Sequence, residues 1–186
     1  MTDWLSSAPR ISEVYSEDLT LSEPFLDVAR RFAYAPGTVL LMSGGDLDCA
    51  RHHILGIHPW LDLSAREKQV SIRLWEKTLC LDLDPLEALG QVLTHFKINF
   101  PAPSGRGPMA CGLMGYLAYD LKDCIEDLPR TSVDRSHLPH RLLYGHSLVL
   151  VRDRVENTTK VFLPRFEGES PDRVLERLAG FKTALE

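Results

Sequence analysis

No apolar stretch in this 186-residue chain approaches the roughly 20 residues that span a bilayer. The N-terminus carries Asp3 and Pro9 where a secretory leader has a basic start and an apolar core, so the cytoplasm is the expected compartment. Cys49, Cys80, Cys111 and Cys124 form no Cys-x-x-Cys pair, which excludes a zinc ribbon or a disulfide framework and leaves reduced, mostly buried thiols as the expectation. Lys and Arg do not cluster beyond Arg30-Arg31, and a net charge of -5 supplies no concentrated basic face for nucleic acid. The chain has no Gly-x-Ser-x-Gly elbow and no His-Glu-x-x-His helix, and Gly44-Gly45 lacks the lysine, Ser/Thr and helix of a phosphate loop. Internal repeats and low-complexity tracts are also missing.

What is present is an ordinary globular composition, 44% hydrophobic and 25% charged, at a length that suits one domain with a sizeable core. Ile11 to Tyr15 reads as a short edge strand. Ser22 and Pro24 open a helix to about Ala33, with Phe25, Val28, Ala29 and Phe32 at helical spacing. Thr38 to Ser43 and Cys49 to Ile57 read as a hairpin around Gly44-Gly45-Asp46-Leu47-Asp48. Trp60 to Leu63 and Val70 to Trp75 alternate as a second hairpin about the charged turn Ala65 to Lys68. Asp84-Pro85-Leu86-Glu87 carries a cap, a first-turn proline and a capping-box glutamate, and Leu86, Leu89, Leu93 and Phe96, with Val92, form a stripe able to cover a sheet. Phe100 to Pro108 is a loop by composition, and Arg130 to His140 should run over the surface. Leu142 to Val151 and Thr159 to Leu163 make a third hairpin, and Ser170-Pro171 opens a last helix with Val174, Leu175, Leu178 and Phe181 inward. Strand runs broken by a few helices predict an α+β fold, a mostly antiparallel sheet with helices packed on it.

The stretch Gly112 to Pro129 is the most distinctive. Leu113, Met114, Tyr116, Leu117 and Tyr119 read as a buried strand. Gly112 and Gly115 within it suggest a bulge or a close approach of another backbone. Asp120 can then cap a short helix that turns Leu121, Cys124 and Ile125 inward and stops at Leu128-Pro129. The order Gly-Leu-Met-Gly-Tyr-Leu-Ala-Tyr-Asp-Leu followed by Ile-Glu-Asp-Leu-Pro resembles the N-terminal region of component I of anthranilate synthase and of aminodeoxychorismate (para-aminobenzoate) synthase. Upstream, Leu40-Leu41-Met42-Ser43 is similar to the family's Leu-Leu-Glu-Ser strand, and Cys49 to Gly56 to the strand that follows it. The resemblance covers about residues 20 to 165.

That resemblance implies an N-terminal domain of a longer synthase, whose chorismate-binding C-terminal domain, with its magnesium ligands and catalytic groups, is not in these residues. No catalytic residue and no metal ligand is assigned here, and magnesium is implied for the parent enzyme alone. The Cys49, His52, His53 group and the His137, His140 pair offer no set of zinc ligands at usable spacing and read as ordinary strand and loop residues. By the same resemblance Ser43, Cys49, Ala50, Arg51 and His52 match segments lining a tryptophan pocket, with tryptophan as a ligand the pocket would take. The competing reading is that Ser43 and Arg51 satisfy hydrogen bonds between strands. Met42 replaces the glutamate of feedback-regulated members, and that difference leans towards the para-aminobenzoate branch. The implied partners are the chain's own C-terminal domain and a glutamine amidotransferase subunit. Anthranilate synthase component I, and a stand-alone aromatic amino acid-binding or assembly module without catalysis, are the alternatives.

Overall fold

The computed structural model describes residues 5–45, 47, 49–97, 111–126 and 135–186. Asp46 and Asp48 of the glycine turn, the 100–108 loop and the Leu128-Pro129 helix stop lie outside the described residues. The α+β expectation holds. The strands are β1 (Ile11–Leu19), β2 (Val39–Met42), β3 (His52–Arg66), β4 (Gln69–Leu74), β5 (Lys77–Asp82), β6 (Leu113–Leu117), β7 (Arg141–Asp153) and β8 (Thr158–Phe166). Hydrogen bonding runs in the order β1-β8-β7-β3-β4-β5, with β2 added to β3 and β6 to β7. The β1–β8, β2–β3, β3–β4, β4–β5, β6–β7 and β7–β8 pairs are all antiparallel. The helices are α1 (Phe25–Arg31), α2 (Pro85–His95) and α3 (Pro171–Leu185), with a 3-10 helix at Tyr119–Cys124.

The described residues fall into two compact units, whose boundaries cut β3 after Pro59 and β7 after Gly145. One holds β1, β2, the first part of β3, the last part of β7, β8, α1 and α3. Its core is built by period-two alternation on the strands and helical spacing on the helices. Leu55 and Ile57, Leu148 and Leu150, and Val161 and Leu163 meet Phe25, Val28, Ala29 and Phe32 of α1 and Val174, Leu178 and Phe181 of α3. Phe32 stacks on Phe181 at 5.8 Å between centroids. Each such side chain contributes roughly 1.5–3 kcal/mol by leaving water, which makes this the main source of the unit's stability. The edge strand expected at Ile11 to Tyr15 is longer, reaching Leu19 against Thr159. Helix α1 begins later than the Ser22 cap predicts, because Pro24 is itself extended with ψ 143 and occupies the cap position. Ser170 stands at the cap of α3 as expected, without a side-chain bond, and Leu175 is exposed.

The other unit holds the rest of β3, β4, β5, β6, the start of β7, α2 and the 3-10 helix. Trp60 to Leu63 is no separate strand but part of the 15-residue β3, which changes partner around His58-Pro59. Proline cannot donate to a ladder, and His58 is left-handed at φ 52, so the interruption falls between the β2 and β4 pairings. The Lys77–Asp82 strand escaped the sequence reading. Its turn is Trp75-Glu76, with Trp75 at φ 51, and neither residue is a usual turn signal. Trp60 packs edge-on against Phe96 at 4.7 Å, and a Cβ on Gly145 would press on its ring at 3.0 Å.

β6 is not a buried strand: only Met114 is buried, while Tyr116 and Leu117 are exposed, because β6 is an added strand beside β7. Gly115 is required where it stands, since it has φ 155 and any Cβ there would run into the carbonyl of Leu142, the close approach of another backbone that the glycines suggest. Asp120 does not cap, the 3-10 helix starting at Tyr119 behind Ala118; Leu121 turns inward as expected but Ile125 is exposed. Helix α2 buries a different face from the one its leucines predict. Asp84 caps it as predicted, its carboxylate accepting from the amides of Leu86 and Glu87 at 2.8 and 2.9 Å. Glu87 completes no capping box but accepts from Gln91 at 3.1 Å. The buried face is Pro85, Ala88 and Val92, followed by Phe96, and the leucine stripe lies outside it. Small residues at 85, 88 and 92 let the helix sit closer to β4 than leucines would.

Candidate functional site

The residues that the sequence nominates sit in the unit built by β2, β3, β7 and β8, at the β2–β3 connection. Strand β2 ends at Met42 opposite His53, so Ser43 leaves the ladder beside the start of β3. The Ser43 hydroxyl donates to the carbonyl of His52 at 2.7 Å, and its amide donates to Nδ1 of His53 at 3.2 Å. That bond fixes the His53 proton on Nε2. Burial, with the charges of Arg154 and Arg152, holds the His53 pKa below its ordinary value, so the ring is neutral at pH 7.

The centre of the cluster is Asp153, the last residue of β7, which sequence reasoning missed. Oδ2 of Asp153 accepts from Nε of Arg51 at 2.8 Å and lies 2.7 Å from Nη2. Both nitrogens meet the one oxygen, a charge-assisted contact that leaves Oδ1 for other donors. Oδ1 accepts the amides of Val155 and Glu156 at 2.9 and 3.0 Å, which closes the turn into β8. The Arg51 bond, opposed by burial and helped by the two backbone amides, lowers the Asp153 pKa to about 2. His52 points Nε2 at the same carboxylate from 3.6 Å, outside hydrogen-bond range. Arg154 ties the other side, its amide donating to Arg51 O at 2.9 Å and its guanidinium to Ala50 O at 2.7 Å.

The structure therefore brings Ser43, Ala50, Arg51 and His52 together, and adds His53, Asp153, Arg154 and Glu156. Cys49 is exposed and contributes its carbonyl to the amide of Arg51. Met42 is 49% exposed beside Ser43 and offers no charge. Both polar side chains are engaged internally: the Ser43 hydroxyl with a carbonyl, the Arg51 guanidinium with Asp153. Chemically the cluster is a clasp joining the β2–β3 connection to the β7–β8 turn. It holds no nucleophile beside a base. Among the described residues no group of three or more His, Cys, Asp or Glu side chains is placed to hold a metal ion, and no helix is long and apolar enough to cross a membrane. The expectation of mostly buried thiols is corrected for Cys49 and Cys80, which are exposed, while burial pushes the Cys111 thiol up to about 12.

No protein-family model matches the chain. It is 31% identical over 160 residues to anthranilate synthase component 1 of Mycolicibacterium smegmatis, a match to 83% of this chain and 30% of that protein. The corresponding enzyme of Mycobacterium tuberculosis is 32% identical over 162 residues, again 83% of this chain. That of Cereibacter sphaeroides is 37% identical over a shorter 84 residues, 45% of this chain and 16% of the relative. Among solved structures, anthranilate synthase component I from Streptococcus pneumoniae shares the fold, with a TM-score of 0.60 at 18% identity over 81% of this chain and 32% of that one. The chain thus spans about 30% of the length of relatives that match most of it. In sequence over 83% of its residues, and in fold, the chain is thus similar to a part of anthranilate synthase component I.

Proposed function

We propose that these residues are the N-terminal domain of an aminodeoxychorismate (para-aminobenzoate) synthase component I, a cytoplasmic enzyme that aminates chorismate on the way to folate. The observation that carries the choice of branch is Met42. In the position where the resemblance places a glutamate suited to an ammonium group, the chain has an uncharged and half-exposed thioether. The Asp153 clasp adds to this, because Arg51 and Ser43 already have internal partners. On this reading the tryptophan pocket of the regulated relatives is here a structural joint, and the parent enzyme is indifferent to tryptophan. The domain's role is to carry and brace the catalytic part; chorismate, magnesium and the ammonia delivered by a glutamine amidotransferase subunit are handled outside it.

A second reading, anthranilate synthase component I, is favoured by the names of the relatives. Product identity separates the two. The full-length protein, given chorismate, ammonium and magnesium, is expected to form 4-amino-4-deoxychorismate at a rate unchanged by tryptophan. Accumulation of anthranilate would overturn the proposal in favour of the second reading.

A further inference from the structure

Helix α2 has three faces where a surface helix needs two. Pro85, Ala88, Val92 and the following Phe96 point inward. Glu87, Gln91 and Thr94 form a polar face that is satisfied locally: Gln91 donates to Glu87, and the Thr94 hydroxyl donates to the carbonyl of Gly90 at 2.7 Å. Between them runs a third face of Leu86, Leu89 and Leu93, at spacings of three and four. Leu86 is 37% and Leu93 53% exposed, and Leu89 is half-buried. That spacing is the seam by which one helix packs against another. Gly90 lies beside Leu86 and Leu93 on the helix surface, and a Cβ built there meets nothing within 4 Å. The seam is thus flanked by a notch that a neighbouring helix's ridge can enter.

A further exposed leucine lies on the side of the β6–β7 ladder that faces the start of α2. The fully buried Arg141 donates from Nη1 to the carbonyl of Pro85, the first residue of α2. Its cross-strand partner on β6 is Leu117, 55% exposed. Directly paired residues of an antiparallel ladder project to the same side. Leu117 and the start of α2 therefore share one side of the β6–β7 ladder. Isolated exposed leucines are commonplace, but a seam with a notch and an apolar neighbour marks an interaction surface.

We infer that the Leu86, Leu89, Leu93 face of α2 docks a helix of the synthase polypeptide that lies outside these 186 residues. The occupant follows from length: relatives that match 83% of this chain devote only about 30% of their own residues to the match. More than twice as much polypeptide is thereby available to cover the seam in cis. The inference rests on the reading of the chain as part of a longer synthase.

The test uses the full-length protein with Leu93 replaced by the photoreactive p-benzoylphenylalanine, a change the exposure of that position accommodates. Irradiation followed by peptide mass spectrometry is expected to join position 93 to a peptide beyond residue 186 of the same polypeptide, without a doubling of mass on a denaturing gel. Adding Leu86→Glu should abolish that crosslink. Crosslinks confined to residues 1–186, or a doubled mass from two copies, would overturn the inference and leave the proposed function standing. Failure of the unsubstituted full-length protein to aminate chorismate would overturn the proposed function, while the crosslinked peptide still decides what α2 contacts.

Discussion

At Asp153 one carboxylate ties three segments: Arg51 ahead of β3, the end of β7, and the two amides that turn the chain into β8. Its pKa of about 2 lies below the usual Asp value of about 3.9, so in that interval the unfolded chain binds more protons than the folded one. The stabilisation is therefore fully present above about pH 4 and is lost as pH falls through about 2. We expect Asp153→Asn to lower the melting temperature at pH 7 and to flatten the acid limb between those pH values, as followed by circular dichroism. An unchanged acid limb would mean that the Arg51 pair contributes nothing. Sequence alone nominated Ser43, Cys49, Ala50, Arg51 and His52 by their resemblance to a known pattern. It could not find Asp153, which lies about a hundred positions downstream in an unremarkable strand end and becomes a partner only through strand pairing.

Helix α2 shows how an element can be legible in place and illegible in orientation. Asp84-Pro85 located its start to the residue, because cap and first-turn proline act through local backbone bonds. Its sequence, however, carries two apolar stripes, one of leucines and one of small or β-branched residues. Hydrophobicity favours the first for burial, whereas close approach to β4 favours the second. We expect Val92→Ala to destabilise the chain by about 1–2 kcal/mol in urea unfolding, since Val92 is 1% exposed. Leu93→Ala should stay within about 0.5 kcal/mol, as befits an exposed site. The reverse order would restore the leucine stripe as the buried face. β5 was missed for a related reason: Trp75-Glu76 makes its turn without glycine or asparagine, so the chain reversal left no local signal. The β7–β8 hairpin was legible because the apolar runs Leu148 to Val151 and Val161 to Leu163 flank the polar Asp153 to Asn157.

For the molecule as a whole, composition and strand patterning were enough for the α+β class, and the resemblance supplied the family that the comparisons support. Neither could show that the leucine seam, Leu117 and Ile125 would be left facing outward, because exposure depends on the whole packed chain. That outward apolar surface, and the match to about 30% of each longer relative, are what the account of a synthase domain explains together. The most direct test is the mass of the native polypeptide in source cells, detected with an antibody raised to these residues. The account predicts a band well over twice the 21.0 kDa of this chain, carrying the catalytic part on the same polypeptide. A band at 21.0 kDa, with no larger species, would contradict it and leave a free-standing module in place of a synthase domain.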